Sequence, residues 1–175
     1  MLDKPVIQKK ICILGPFAVG KTSLVRRFIE GRFDDKYLST IGVKISRKPV
    51  STESGMVNLI LWDLAGSEEY NGLQANYLQG AAGGIVVCDL TRPETLKGWE
   101  YYARRLRQIN PDARLVLVAS KADLVEARAL SEDDLRRAAA ALSDGTVNAP
   151  SYLLTSAKSG ENVQAVFHLL AEGLL

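Results

Sequence analysis

The run Gly15-Pro16-Phe17-Ala18-Val19-Gly20-Lys21-Thr22 has the residue types and the spacing that grip a chain of phosphates. Phosphates carry several negative charges. A cradle for them needs consecutive backbone N–H groups turned inward, best at a helix N-terminus, where unpaired donors and the macrodipole both favour an anion. Gly15 and Gly20 let the chain curl that tightly. Lys21 supplies a mobile positive charge for the outer phosphates, and the Thr22 hydroxyl is placed to coordinate the magnesium ion that such phosphates bring with them. Nucleotide contacts are therefore expected from Gly15, Phe17, Ala18, Val19, Gly20, Lys21, Thr22 and Ser23. The chemistry demands a strand before the loop and a helix after it. Ile11-Cys12-Ile13-Leu14 and the amphipathic Ser23-Leu24-Val25-Arg26-Arg27-Phe28-Ile29 provide both.

Further segments can act on the same ligand. In Trp62-Asp63-Leu64-Ala65-Gly66, Asp63 can hold the magnesium ion through its water shell, and the Gly66 N–H can meet the terminal phosphate with no side chain in the way. Thr40, within Tyr37-Leu38-Ser39-Thr40-Ile41-Gly42, can add a second hydroxyl to the metal. Both contacts last only while the terminal phosphate does. The base is read later, in Ser120-Lys121-Ala122-Asp123. The Asp123 carboxylate can accept from guanine N1–H and the 2-amino group, whereas adenine presents a lone pair at N1. Sites built this way discriminate by roughly 10⁴ to 10⁵. The Lys121 stem can cover one face of the base, and in Thr155-Ser156-Ala157-Lys158 the Ala157 N–H is placed to donate to guanine O6.

These segments need a scaffold, and the pattern supplies one. Apolar runs at 6–14, 41–50, 56–62, 84–90, 115–119 and 151–154 read as strands, and helical patterns occupy about 21–30, 69–79, 93–109, 132–142 and 162–174. Continuous apolarity in Ile85-Val86-Val87-Cys88 and Leu115-Val116-Leu117-Val118 signals parallel strands covered on both faces. The second and third runs are joined only by Ser51-Thr52-Glu53-Ser54-Gly55, too short for a parallel crossover, so one strand should be reversed. The expectation is a single-domain three-layer α/β sandwich, a six-stranded mixed sheet with one antiparallel edge strand, carrying its ligand loops at the carboxyl ends of the parallel strands. Thr91, Ser131 and Ser159 or Gly160 lie where helix N-caps belong, with Glu94 and Asp134 three residues after the first two.

Composition narrows the function further. With 22 Lys and Arg against 20 Asp and Glu the charge is nearly balanced, which gives no support for nucleic-acid binding. The pairs Arg26-Arg27, Arg104-Arg105 and Arg136-Arg137 read as solvated helix faces. The two cysteines, Cys12 and Cys88, sit inside apolar runs, so a disulfide is not expected and a reducing cytoplasm is. Residue 2 is Leu, not Gly, and no cysteine lies near Leu175, so no lipid anchor is expected. His168, the only histidine, reads as a surface or packing residue. Trp99, Tyr101 and Tyr102 are expected to cover the sheet, while Tyr70 and Tyr77 could face the core or a partner.

With these motifs in this order, the chain resembles a small GTPase of the Ras superfamily over about Val6 to Leu174, and the segment around Thr40 is most similar to the Rab branch. The resemblance implies Mg²⁺ and GTP or GDP as ligands, Phe33 edge-on against guanine, and Tyr37 closing over the phosphates. It implies docking of an effector, an exchange factor or a GTPase-activating protein on two switch segments, 33–43 and 63–77. Lys21, Thr40, Gly66 and residue 67 would be the catalytic positions, with Ser156, Ala157 and Lys158 closing the base site.

Three positions depart from the family. Ser67 stands where most relatives carry the glutamine that orients the attacking water, and Phe17 where many have glycine, so hydrolysis should be slow. Ser120 replaces the asparagine of the base-reading motif. A hydroxyl has fewer hydrogen bonds and less reach, which would loosen the tie to the phosphate loop and speed exchange, unless water or the serine itself restores the contact. A permanently loaded pseudo-GTPase is the alternative function. A nucleotide kinase would share the phosphate loop but leave Asp123 and Ser156-Ala157-Lys158 without a purpose.

Overall fold

A computed structural model describes residues 6–36, 42–65, 73–143 and 148–175. Along the chain run β1 (Ile7–Leu14), α1 (Lys21–Glu30), β2 (Val43–Thr52), β3 (Gly55–Leu64), α2 (Leu73–Leu78), β4 (Gly83–Asp89), α3 (Lys97–Ile109), β5 (Arg114–Ser120), α4 (Glu132–Ala140), β6 (Ser151–Leu154) and α5 (Val163–Glu172). They build one six-stranded sheet in the order β2-β3-β1-β4-β5-β6. Every pairing is parallel except β2 with β3. That is the mixed sheet with an antiparallel edge expected from the short second connection. The hairpin is tighter than the sequence suggested, for the ladder continues to Thr52 opposite Gly55 and leaves only Glu53 and Ser54 in the turn. The Thr52 hydroxyl donates to the Gly55 carbonyl and accepts from its N–H, which closes the extra rung.

Alternate residues of the central strands feed two cores. Cys12, Leu14, Val86, Cys88 and Leu117 pack against Trp99, Leu106 and Leu135 of α3 and α4. On the other face Ile11, Ile13, Leu59, Leu61 and Val118 meet Leu24, Phe28 and Phe167 of α1 and α5, where the two phenyl rings stack at 3.8 Å. Residues pointing to opposite faces and both buried are what continuous apolar runs require. Burial raises both thiols, that of Cys12 to about 12, so neither is ionised.

Several local readings need correction. Trp99 and Tyr102 are buried over the sheet, with the Trp99 indole donating to the Val118 carbonyl at 3.1 Å. Tyr101 instead lies exposed, edge-on to Tyr102, because its helical position turns it away from β4. Ser131 does cap α4 in a full capping box with Asp134. Thr91 is not a cap. Its hydroxyl donates at 2.7 Å to the buried Asp89 carboxylate, a charged acceptor, and Pro93–Leu96 form a 3-10 turn before α3 whose N-cap is Arg92. Neither Ser159 nor Gly160 caps α5, whose N-cap is Asn162, left-handed at φ 58° and donating its amide to the Leu154 carbonyl. His168 lies half exposed on α5, 3.2 Å from Glu172. Of the second-switch tyrosines, Tyr70 falls outside the described residues, and Tyr77 packs partly buried beside Trp62.

Candidate functional site

The loop between β1 and α1 is shaped from behind by β4. Gly15 lies so close to the Val87 carbonyl that a Cβ there would stand 2.4 Å from its oxygen, so no other residue fits. Gly20, at φ 102°, is the N-cap of α1 and brings no side chain to the first turn, which leaves that end of the helix to an external anion. Ala18 adopts the left-handed conformation at φ 60°. Lys21 is buried, and its ammonium donates to the carbonyls of Gly15 and Pro16 at 2.7 and 2.8 Å. Burial pushes its pKa down to about 8, with Asp63 drawing it up and Arg92 pressing it lower.

A polyphosphate would restore the charged form. GDP binding to the nucleotide-free protein is therefore expected to take up a proton above pH 8, approaching one near pH 9 to 10, with affinity falling as pH rises through that range. Calorimetry in buffers of different ionisation enthalpy measures the uptake, and its absence at pH 9 would show that the lysine is already charged in the empty loop.

Thr22 and Asp63 come together across the head of α1. The threonine hydroxyl donates to Asp63 Oδ2 at 2.7 Å, while Oδ1 of this fully buried carboxylate has no partner. Burial raises the Asp63 pKa, opposed by Thr22, Lys21 and Lys44. An orphaned carboxylate oxygen beside a hydroxyl in a buried corner is the donor set that a hard divalent cation takes, so these residues fit magnesium. Tyr37, Thr40, Gly66 and Ser67 lie outside the described residues.

A cavity of about 330 Å³ opens beside the loop, with Phe17, Lys21, Phe33, Lys121, Asp123, Ala157 and Lys158 on its walls. Gly20, Thr22, Ser23 and Ser120 also face it. Val19 and Ser156 are wholly buried behind these walls. Ser156 Oγ donates to Asp123 Oδ1 at 2.8 Å and itself accepts from the Ser159 N–H, which fixes the carboxylate. Lys121, left-handed at φ 66°, crosses to the Ala18 carbonyl at 3.2 Å.

Ser120 keeps the contact that a shorter side chain was expected to weaken. Its hydroxyl reaches the Val19 carbonyl of the phosphate loop and the Cys88 carbonyl at 2.9 Å, so the serine itself restores the tie. Register explains the reach: Ser120 stands opposite Asp89, at the end of β5 nearest the loop. Ser120→Ala is expected to speed nucleotide release by about tenfold, the loss of one buried hydrogen bond. Stopped-flow release of a fluorescent GDP would check it, and an unchanged rate would make the tie dispensable.

The model of the Ras family matches residues 10–175. The chain belongs to the Ras family. Among curated proteins it is 35% identical to the Ras-related protein Rab5A of Oryza sativa subsp. japonica, over 95% of this chain and 79% of that one. It is equally 35% identical to the Ras-related protein Rab-22A of Mus musculus, over 90% and 79% of the two chains, and 34% identical to Rab5 of Nicotiana tabacum, over 96% and 82%. The protein is a Rab-like small GTPase, and the family function is that of a GTP-binding molecular switch.

Sequence reasoning missed four residues of this Ras-family site. Arg26 and Arg27 are not a solvated face: the Arg26 side chain is only 15% exposed beside Asp34, and Arg27 donates to the Lys158 and Ser159 carbonyls of the loop after β6. Asp89 and Arg92, at the end of β4, connect to the phosphate loop. A carboxylate closing the otherwise apolar strand Gly83–Asp89 was the signal for the latter pair.

Proposed function

We propose that this GTPase selects guanine through Asp123, holds its phosphates on residues 15–23, and hydrolyses GTP slowly. The observation that carries the slow turnover is Phe17. At the third position of the loop Phe17 is 45% exposed on the cavity wall, where, by the family resemblance, its bulk would crowd the terminal phosphate and the path of an incoming arginine. Ser67 supports the same reading, since a serine is too short to orient water as a glutamine does.

Lys21 would set its charge against the outer phosphates, with the amides of the loop aimed at the same oxygens. Thr22, Thr40 and, through water, Asp63 would hold magnesium, which when bound neutralises charge on the β- and γ-oxygens. Water adds to the γ-phosphorus as the bond to the bridging oxygen breaks, leaving GDP and phosphate. With serine at position 67 in place of the glutamine, water positioning would be the step that suffers. Family members turn over unaided at about 10⁻⁴ to 10⁻³ per second. A single-turnover assay with magnesium is expected to fall below that range, and a rate within it overturns the reading.

Partners would dock on 33–43 and 63–77. Ile45, exposed beside this region, pairs in register with Trp62, whose ring lies 6.3 Å from that of Tyr77, and this apolar group at the edge of both segments supports such docking. A cytosolic compartment fits the two buried thiols. No helix among the described residues is long and apolar enough to cross a membrane.

A further inference from the structure

Asp89 is wholly buried, and both of its oxygens are fully engaged. Oδ1 accepts from the Thr91 N–H at 2.8 Å and the Thr91 hydroxyl at 2.7 Å. Oδ2 accepts from Arg92 Nε at 3.0 Å and from Lys121 Nζ at 2.7 Å. Each cation then reaches on to a carbonyl of the phosphate loop. An Arg92 terminal nitrogen donates to the Phe17 carbonyl at 2.9 Å, and Lys121 to that of Ala18 at 3.2 Å. Burial raises the Asp89 pKa, but these bonds outweigh it and hold the carboxyl below the usual range, so it stays charged.

The direction of these carbonyls has a consequence for the opposite side of the loop. In a planar trans peptide the C=O of one residue and the N–H of the next point in opposite senses. Carbonyls of residues 17 and 18 drawn back toward Arg92 and Lys121 therefore turn the amides of Ala18 and Val19 away from them, to the side an anion would occupy. Preformed dipoles of this kind cost no reorganisation when the ligand arrives.

We propose that Asp89 and Arg92 are positioning residues that aim the phosphate-loop amides and couple that loop to the base-reading loop through Lys121. Asp89 orients both cations, and Arg92 acts on the phosphate end alone. Its planar fork meets two separated acceptors in one fixed geometry, Asp89 through Nε and Phe17 through a terminal nitrogen, which the single ammonium of a lysine at this position would not reproduce. The proposal rests on nucleotide binding at this site.

Competition binding of GDP and GMP to the full chain tests it, because GMP lacks the outer phosphate. Arg92→Gln, at a side chain 35% exposed, is expected to weaken GDP by about tenfold, as for one charge-assisted hydrogen bond, and to leave GMP within twofold. Arg92→Lys should fail to rescue GDP. Asp89→Asn should weaken both ligands, since it also frees Lys121 from its anchor. Equal loss of GDP and GMP in Arg92→Gln, or full rescue by lysine, would reduce Arg92 to a general structural or electrostatic role and overturn the proposal. An Asp89→Asn chain that fails to fold leaves the arginine variants to decide. Wild-type protein that binds no GDP overturns the nucleotide reading and the proposal together, whereas normal wild-type binding with an unchanged Arg92→Gln variant overturns the proposal alone.

Discussion

Asp123→Ala is expected to lower GDP affinity by about 10⁴-fold and to bring GDP and ADP to nearly equal binding. The magnitude follows from what the substitution strands. Guanine N1–H and its 2-amino group lose their acceptor, and so does the Ser156 hydroxyl that now donates to Asp123 Oδ1 at 2.8 Å. A buried donor left unpaired costs more than the bond was worth when made. Adenine has no such donors to strand, and its N1 lone pair would no longer face a carboxylate, so its weak binding should hold or improve. Competition against a fluorescent GDP measures both ligands, and a variant that still prefers GDP over ADP by more than tenfold would remove Asp123 from base selection.

Lys21→Met keeps the stem and deletes the charge. Affinity for GDP and GTP is expected to drop by about 10² to 10³-fold, the cost of removing one partner from a buried charged contact. The empty protein should melt no lower, and higher at neutral pH. The sign comes from burial: the Lys21 pKa is depressed to about 8, so the fold carries a penalty while the ammonium is charged, relieved only as pH rises from about 8 toward the unfolded value. Proton uptake on GDP binding above pH 8 should vanish in the same variant. Thermal melts of nucleotide-free protein beside affinity measurements separate the two effects, and a loss of both stability and affinity would make Lys21 structural.

Much of this was legible before any coordinates. The bounds of α1 and β6 follow the sequence reading, and β4 and β5 differ from it by a residue at either end, because an apolar run covered on both faces has few ways to be placed. The phosphate loop was legible because its chemistry is local: two glycines, a lysine and a threonine at fixed spacing specify their own backbone. Arg26 and Arg27 were misread for the opposite reason. A pair of arginines on a helix looks solvated until one knows that the loop after β6, more than a hundred residues later, folds back over it.

What the amino-acid order determined alone is the chemistry and its sequence: which residues could hold phosphates, metal and base, and that one sheet edge must be reversed. What only the tertiary structure decided is how those segments hold one another. Ser120 meets Val19, Arg92 meets Phe17, and Lys121 meets Ala18 across 75 to 103 residues of chain. Such contacts depend on strand register and on which loop ends abut, which the packing of the whole sheet sets and no local pattern records.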